Sequence, residues 1–357
     1  MKGLASPPFR PSMEQLSPQL FWVAFPAVIA IFAVYSMGLF GGNQFPVEGR
    51  TVLLTGASEG MGLEVAKQLA AKGANIVIVS RTVSKLKEAI KEIEASAKFP
   101  GSQQFHYISA DVSSTGYAAP VVAEAVQWNG GKAPDIVWCL AGIATAALFL
   151  DQPTSLMRRH MDVNFHGSVE MCHAILKEWL APNAPVEKTP KHLILTSSVA
   201  AFWTVPGYGF YGPSKAALRC LIDDLAQEVL LYPQNVKTHL VSPGTILSPS
   251  FAEEERTKPE ITKILEQDDP RQTPEAVARL SIRSLEKGHH YVTVSWLGDL
   301  MKWSVMGGIP RNNWIIDTIG AWLVPLIWIY VQFDFYHKLR SYGKKHGHPS
   351  LWKKHEA

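Results

Sequence analysis

Cysteine is scarce in this sequence: Cys139, Cys172 and Cys220 are the only three in 357 residues. They stand far apart and each lies inside an apolar pattern. A disulfide framework is therefore not expected, and the spacing suits reduced, buried thiols facing a cytosolic environment. An excess of either charge is also missing. Lys and Arg number 34 against 31 Asp and Glu, a formal net charge of +3, with both signs mixed through the middle of the chain. No basic face marks a polyanion partner, so no nucleic-acid partner is expected. Of twelve histidines, His337, His346, His348 and His355 fall in the polar tail. The others form no ligand-spaced pair within a helix, so no metal is expected. No internal repeat interrupts the middle of the chain, and the length fits one main domain with residues to spare at its ends.

The ends carry what the middle lacks, namely long apolar runs. Residues 20–40 contain no charged side chain and are dominated by Phe, Val, Ala, Ile and Leu, about the length that spans a bilayer core. The sequence thus predicts a polar leader over 1–19 and a transmembrane anchor over 20–41. A cleaved signal peptide is the alternative, but the leader is long and Pro-rich for one. Residues 314–333 are again mostly apolar, yet hold Asp317 and Pro325 among several tryptophans. That composition suits an interfacial or re-entrant segment as well as a span, so 296–336 is expected to be membrane-associated. The tail, 337–357, gathers Lys338, Arg340, Lys344, Lys345, Lys353 and Lys354, a bias toward the cytosolic side or anionic headgroups.

Between residues 50 and 295, short β-branched runs alternate with helix-period stretches, the pattern of βαβ units. Strands are expected at 51–55, 75–80, 104–109, 136–140, 192–196, 237–241 and 291–294, with helices such as 63–72 and 86–97 between them. The fold class is therefore α/β, a Rossmann-type doubly wound parallel sheet of seven strands, with an N-terminal transmembrane helix and a C-terminal membrane-associated segment. The charged stretch 245–271, flanked by prolines, reads as an excursion outside that sheet.

After the first strand comes Thr55-Gly56-Ala57-Ser58-Glu59-Gly60-Met61-Gly62, and a helix follows at once. Gly56, Gly60 and Gly62 would let the backbone turn tightly and approach a pyrophosphate, beside Ser58 and Glu59, with the free N–H groups of the helix N-terminus behind it. Glycines at a helix start also serve plain packing, and what favours a dinucleotide is the position between first strand and first helix. The end of the second strand then selects the cofactor. It holds Ser80 and Arg81, and no Asp or Glu occurs between Val65 and Lys87. A ribose 2′-phosphate would meet a guanidinium there, so NADPH is the expected cofactor. Asp111 and Val112, after the third strand, are placed where an adenine ring would lie.

Tyr211 and Lys215 stand four residues apart at the start of a helix, and so on one face of it. A phenol titrates near 10, but a neighbouring ammonium and an oxidised nicotinamide both favour phenolate, which would make Tyr211 a usable proton donor to a carbonyl oxygen. The pair alone is weak. Ser198, at the end of the fifth strand, could hold the same oxygen, and Ser197 could serve if the loop differs by one residue. Asn164 is an unfavourable residue inside a helix unless it has a task, such as holding a water on a proton path from Lys215.

These residues resemble the short-chain dehydrogenase/reductase family over about 240 residues: the glycine turn, Asp111-Val112, Asn164, Ser198, Tyr211-x-x-x-Lys215 and Pro243-Gly244 occur in order. The resemblance implies that Asn164, Ser198, Tyr211 and Lys215 act as a catalytic tetrad, that Tyr211 protonates the carbonyl while the cofactor delivers hydride, and that Lys215 holds the nicotinamide ribose. Cys139-Leu140-Ala141-Gly142 stands where the family usually carries Asn before Ala-Gly, which removes a polar contact but keeps the glycine turn. Within the family, Thr55 to Gly60, Ser242-Pro243-Gly244-Thr245, Ser248-Pro249 and the apolar C-terminal region are similar to the 3-ketodihydrosphingosine reductases. That likeness implies a long-chain 3-keto sphingoid base as substrate, a place in the endoplasmic reticulum membrane with the catalytic domain toward the cytosol, and a homodimer formed through the helices that include Tyr211 and Asn164. Microsomal reductases of steroids or retinoids share fold, tetrad and anchor and are the rival enzyme class; a non-catalytic lipid-surface protein is the rival of another kind.

Overall fold

Runs rich in Val, Ile and Leu fit a pleated surface covered on both sides, and seven of them form strands: β1 Thr51–Thr55, β2 Asn75–Ser80, β3 Phe105–Ser109, β4 Ile136–Cys139, β5 Lys191–Thr196, β6 Val236–Ser242 and β7 Tyr291–Thr293. Each begins and ends within one residue of its sequence-derived range. All six pairings are parallel, in the order β3-β2-β1-β4-β5-β6-β7. The computed structural model describes residues 42–352. The expected leader 1–19, the anchor 20–41 and the last five residues of the tail lie outside the described residues.

Alternate strand residues feed two cores. Val52, Leu54, Ile76, Ile78, Ile136, Trp138 and Ile194 face helices α1 (Gly60–Ala70), α2 (Val83–Ala95) and α9 (Pro274–Glu286). Leu53, Val77, Val79, Val137, Leu193 and Leu195 face α3 (Ala118–Trp128), α5 (Gly167–Trp179) and α6 (Tyr211–Glu228). Truncating one of these fully buried side chains to Ala would cost about 2–5 kcal/mol. The chain leaves β1 toward β2 on one side, and β4 lies on the other. The order thus reverses between β1 and β4, which opens a crevice at the carboxyl ends of the strands.

Three details differ from the sequence reading. Cys139 and Cys172 are buried, but Cys220 is exposed: the buried stripe of α6 runs through Ser214, Lys215, Leu218 and Ile222, and Cys220 falls on its outer side. Asn164 lies not in a regular helix but in a π-helical turn, Met161–His166, between α4 (Thr154–His160) and α5. The apolar segment does not stop at 336. Following α10 (Trp296–Ser304), helix α11 runs from Trp314 to His346, straight through Pro325 and into the basic tail. Among the described residues it is the one helix long and apolar enough to cross a membrane.

Candidate active site

The turn from β1 into α1 is built from glycines with different duties. A Cβ on Gly56, whose φ is +70°, would lie 2.5 Å from the Ala141 Cα, and one on Gly62 would lie 2.2 Å from the Gly56 carbonyl oxygen. Both therefore press the turn against β4 and the helix against the turn. Gly60 also has positive φ, +58°, but its missing side chain would meet only Ser248, at 3.7 Å. Its bare backbone borders open space, as does Gly244, with nothing within 4 Å. No side chain caps α1, so its first N–H groups remain available to an anion.

At the end of β2, the Ser58 hydroxyl donates to Ser80 at 2.9 Å, while Arg81 is exposed. Glu59 is an acid at this end of the cavity, and Lys85 pairs with it at 2.7 Å. Asp111 accepts from the Ser113 N–H at 2.9 Å and its hydroxyl at 2.7 Å. Burial raises its carboxyl, but the Ser113 bonds, Arg81 and Arg159 together hold it below the usual carboxylate range. The bare turn, the uncapped helix and the cation fit a nicotinamide dinucleotide: α1 and the glycine turn would hold its pyrophosphate and Arg81 the adenosine end.

Across the crevice, α6 starts at Tyr211. Burial pushes the phenol up to about 12, a hydrogen bond with Ser198 opposes that shift, and the Glu254 carboxylate adds to it. The lowering expected from the sequence rests on the ammonium together with a bound oxidised nicotinamide. Within the chain, desolvation of the phenolate outweighs the ammonium, which approaches the Tyr211 ring centroid only to 5.9 Å. Lys215 is itself buried and lowered to about 8 by loss of water. Its ammonium donates to the Thr196 carbonyl at 3.0 Å, and a Cβ on Gly142 would come within 3.1 Å of it, so the glycine leaves the cation room. Ser197 and Ser198 separate cleanly. The Ser197 hydroxyl donates to the Lys215 carbonyl at 2.8 Å and ties β5 to α6, while Ser198 turns to the phenol.

Every site residue expected from the sequence lines one cavity of about 370 Å³ except Asn164: Gly56, Ser58, Glu59, Gly60, Gly62, Arg81, Asp111, Val112, Ser197, Ser198, Tyr211, Lys215, Pro243 and Gly244 all border it. Asn164 is fully buried one layer behind. Its amide donates to the Ile143 carbonyl at 3.0 Å and to Ser214 at 2.9 Å, and its oxygen accepts from the Ile143 N–H at 2.8 Å.

The sequence reading missed the far wall. The expected excursion is real and is pinched at its base, where Gln272 donates to Thr245 at 3.1 Å and Leu247 to Gln272 at 2.9 Å. It folds into α7 (Pro249–Thr257) and α8 (Glu260–Leu265). Buried Lys258 pairs with Glu254 at 3.1 Å and Glu266 at 2.9 Å, and also with Glu255. The Tyr208 hydroxyl donates to Glu254, and the Tyr208 and Tyr211 ring centroids are 5.9 Å apart. Glu254, Glu266 and Asp269 line the cavity. Asp269 is pushed up to about 6 by burial and by Glu266, against Lys258. Glu254, Glu255, Glu266 and Asp269 stand against Lys258 and Arg271, which leaves this wall negative. The runs Glu253-Glu254-Glu255 and Asp268-Asp269 were visible in the sequence, but nothing there placed them opposite Tyr211.

The arrangement matches known proteins along most of the chain. The family description "short chain dehydrogenase" matches residues 50–259. A 3-ketodihydrosphingosine reductase of Neurospora crassa is 52% identical over 328 residues, which cover 90% of each chain. One of Aspergillus fumigatus is 44% identical, covering 90% of this chain and 93% of its own. A solved short-chain type dehydrogenase/reductase from Mycobacterium ulcerans superposes with a TM-score of 0.59 at 23% identity, over 70% of this chain and 90% of that one, a likeness of fold. With the dinucleotide cradle, the Ser198–Tyr211–Lys215 cluster and these matches in agreement, the chain belongs to the short-chain dehydrogenase family, oxidoreductases that work with NAD(H) or NADP(H).

Proposed function

We propose that this protein reduces the ketone of a 3-ketodihydrosphingosine to the alcohol with NADPH, as an enzyme of sphingolipid synthesis at the cytosolic face of the endoplasmic reticulum membrane. The observation that carries the reading is the half-buried Tyr211, its phenol hydrogen-bonded to Ser198, in one cavity with the glycine turn and with a negative wall. When bound, the nicotinamide supplies hydride to the carbonyl carbon. Tyr211 gives its proton to the carbonyl oxygen, Ser198 donates a hydrogen bond to that oxygen, and the Lys215 cation stabilises the phenolate left behind. Asn164 holds the Ile143 loop and, through the remaining lone pair of its oxygen, a water on the path that reprotonates Tyr211. Arg81 receives the 2′-phosphate, since Lys85 neutralises Glu59 and no other acid lies nearby in sequence.

The substrate class follows from charge. A 3-keto sphingoid base carries an ammonium beside its carbonyl, and Glu254, Glu266 and Asp269 would attract it. A neutral steroid or retinoid gains nothing from that wall. The names of the two fungal relatives point the same way. Two chains associate through α6, which begins at Tyr211, and α5, which follows the Asn164 turn. The test offers washed membranes NADPH with 3-ketosphinganine, its N-acetyl derivative or a steroid ketone. Fast turnover of the free amine and slow turnover of the amide are expected. Steroid reduction without activity on the amine would refute the assignment.

A further inference from the structure

A helix that is apolar on all sides normally finds cover on all sides, but the described residues cover α11 on one. Asp317, Gly320, Val324, Trp328 and Phe335 recur at helical spacing and face the catalytic domain. Asp317 accepts from the Trp303 indole at 2.7 Å and pairs with Lys302 at 3.4 Å, and a Cβ on Gly320 would strike the Trp303 ring at 2.5 Å. Val324 and Trp328 are buried and belong to the same core cluster as residues of α5 and α6. The Trp203 ring packs against Trp328 at 5.4 Å and Phe335 at 6.3 Å, and both Trp203 and Phe335 line the catalytic cavity. The packed stripe therefore runs from 317 to 335, the length of the apolar stretch. On the opposite face Ile319, Trp322, Leu326, Tyr330 and Phe333 point away from the protein, 52%, 75%, 65%, 76% and 75% exposed.

We infer that α11 does not cross the bilayer but lies in the plane of one leaflet, with its outward stripe in the acyl region and the catalytic domain behind it. A lone span needs lipid around its full circumference for about 20 residues. Here that length is bound on one side to a domain whose Lys302 pairs with Asp317 of the helix, and immersing such a flank in hydrocarbon is unfavourable. A flat helix has no such conflict, because its apolar face enters only about 5–10 Å. The charges agree. Exposed Arg340, Lys344 and Lys345 continue the same helix and complement anionic headgroups. The aromatic side chains on the stripe suit the interface. Because Phe335 borders both helix and cavity, the mouth of the active site opens beside the leaflet, and a ketone with a long chain can enter without passing through water. The orientation itself does not depend on the identity of the ketone.

The test places a nitroxide on the full-length protein at Ile319→Cys, Leu326→Cys or Phe333→Cys, each in a Cys220→Ser background, bound to mixed phosphatidylcholine–phosphatidylserine vesicles. Depth is read from the relative accessibility of the label to oxygen and to a water-soluble nickel chelate. All three sites are exposed in the fold, so labelling leaves the packing intact, and thermal unfolding of each labelled protein checks that. In-plane docking gives all three labels the same shallow depth. Crossing would separate Ile319 from Phe333 by about 20 Å along the helix axis, with Leu326 the deepest. That gradient would overturn the inference, and so would labels broadened by one another and inaccessible to oxygen, the signature of a second copy covering the stripe.

Discussion

The side chain of Asn164 grips Ile143 by both of its backbone groups, accepting from the N–H at 2.8 Å and donating to the carbonyl at 3.0 Å. Its third bond, to the Ser214 hydroxyl at 2.9 Å, reaches α6 one residue before Lys215. A single buried amide thus couples the loop after β4 to the helix that carries Tyr211. Asn164→Leu would leave two backbone groups of Ile143 unsatisfied, at a cost of about 1–3 kcal/mol each. Thermal unfolding should show a lowered midpoint, and kcat should fall because the wall of the cavity shifts. An unchanged midpoint would show that the loop does not depend on this amide.

The two adjacent serines should separate in kinetics. Ser198→Ala removes a hydroxyl at the reacting oxygen and is expected to lower kcat by about 10²-fold with little change in unfolding temperature. Ser197→Ala removes the bond to the Lys215 carbonyl and is expected to cost about 1 kcal/mol of stability while most of kcat survives. The reverse outcome would exchange their roles.

Tyr211→Phe should bind NADPH normally and lose reduction by about 10²–10⁴-fold. In the proposed mechanism, reduction needs the ammonium of Lys215. Burial has lowered that group to about 8, so its charge is present below this pH and disappears as pH rises through it. The rate of the chemical step should therefore decline on the alkaline side of about 8. A profile flat to pH 10 would show that the cation is dispensable or less buried than it stands here.

Arg81→Asp should reverse cofactor preference. Loss of a charge-assisted bond to the 2′-phosphate costs about 1.5–3 kcal/mol, roughly a ten- to hundredfold rise in the NADPH KM, while NADH gains an acceptor for its 2′-hydroxyl. The measurement is the ratio of kcat/KM for the two cofactors, before and after the substitution.

Stability should fall on the acid side because of two histidines in the sheet. His239 uses Nδ1 to donate to the His289 carbonyl at 2.8 Å, which leaves its Nε2 to accept from His192 Nδ1 at 2.9 Å. Both rings are thereby held neutral, and burial lowers His192 to about 2 and His239 to about 3. The unfolded chain takes up these protons near 6.5 and the folded one does not. Their contribution is complete above about 6.5 and is lost as pH falls toward 3, by about 1.4 kcal/mol per pH unit for each ring. Urea unfolding between pH 7 and 4 measures the slope, and a phenylalanine at position 192 should halve it.

Much of this protein was legible in its residues. The runs at 51–55 and 75–80 became strands without change, because a parallel strand buried on both faces demands a continuous apolar stretch and tolerates little else. The glycine turn and the Tyr211–Lys215 spacing were equally plain, since both are local: a positive φ and one helical turn are properties of neighbouring residues. What only tertiary structure decided involves residues far apart in the chain. It turned the Ser198 hydroxyl to the phenol and the Ser197 hydroxyl to the Lys215 carbonyl, and gave Asn164 to Ile143. It also set Glu254, Glu266 and Asp269 along one wall of the cavity, and burial, with Glu254, raises the Tyr211 phenol within the chain, against the pull expected of the lysine and a bound nicotinamide. The apolar run near 320 was clear from composition, but composition carries no record of which face is already covered. Only the packing of Trp203 against Trp328 and of Trp303 against Gly320 shows which side of α11 is already taken.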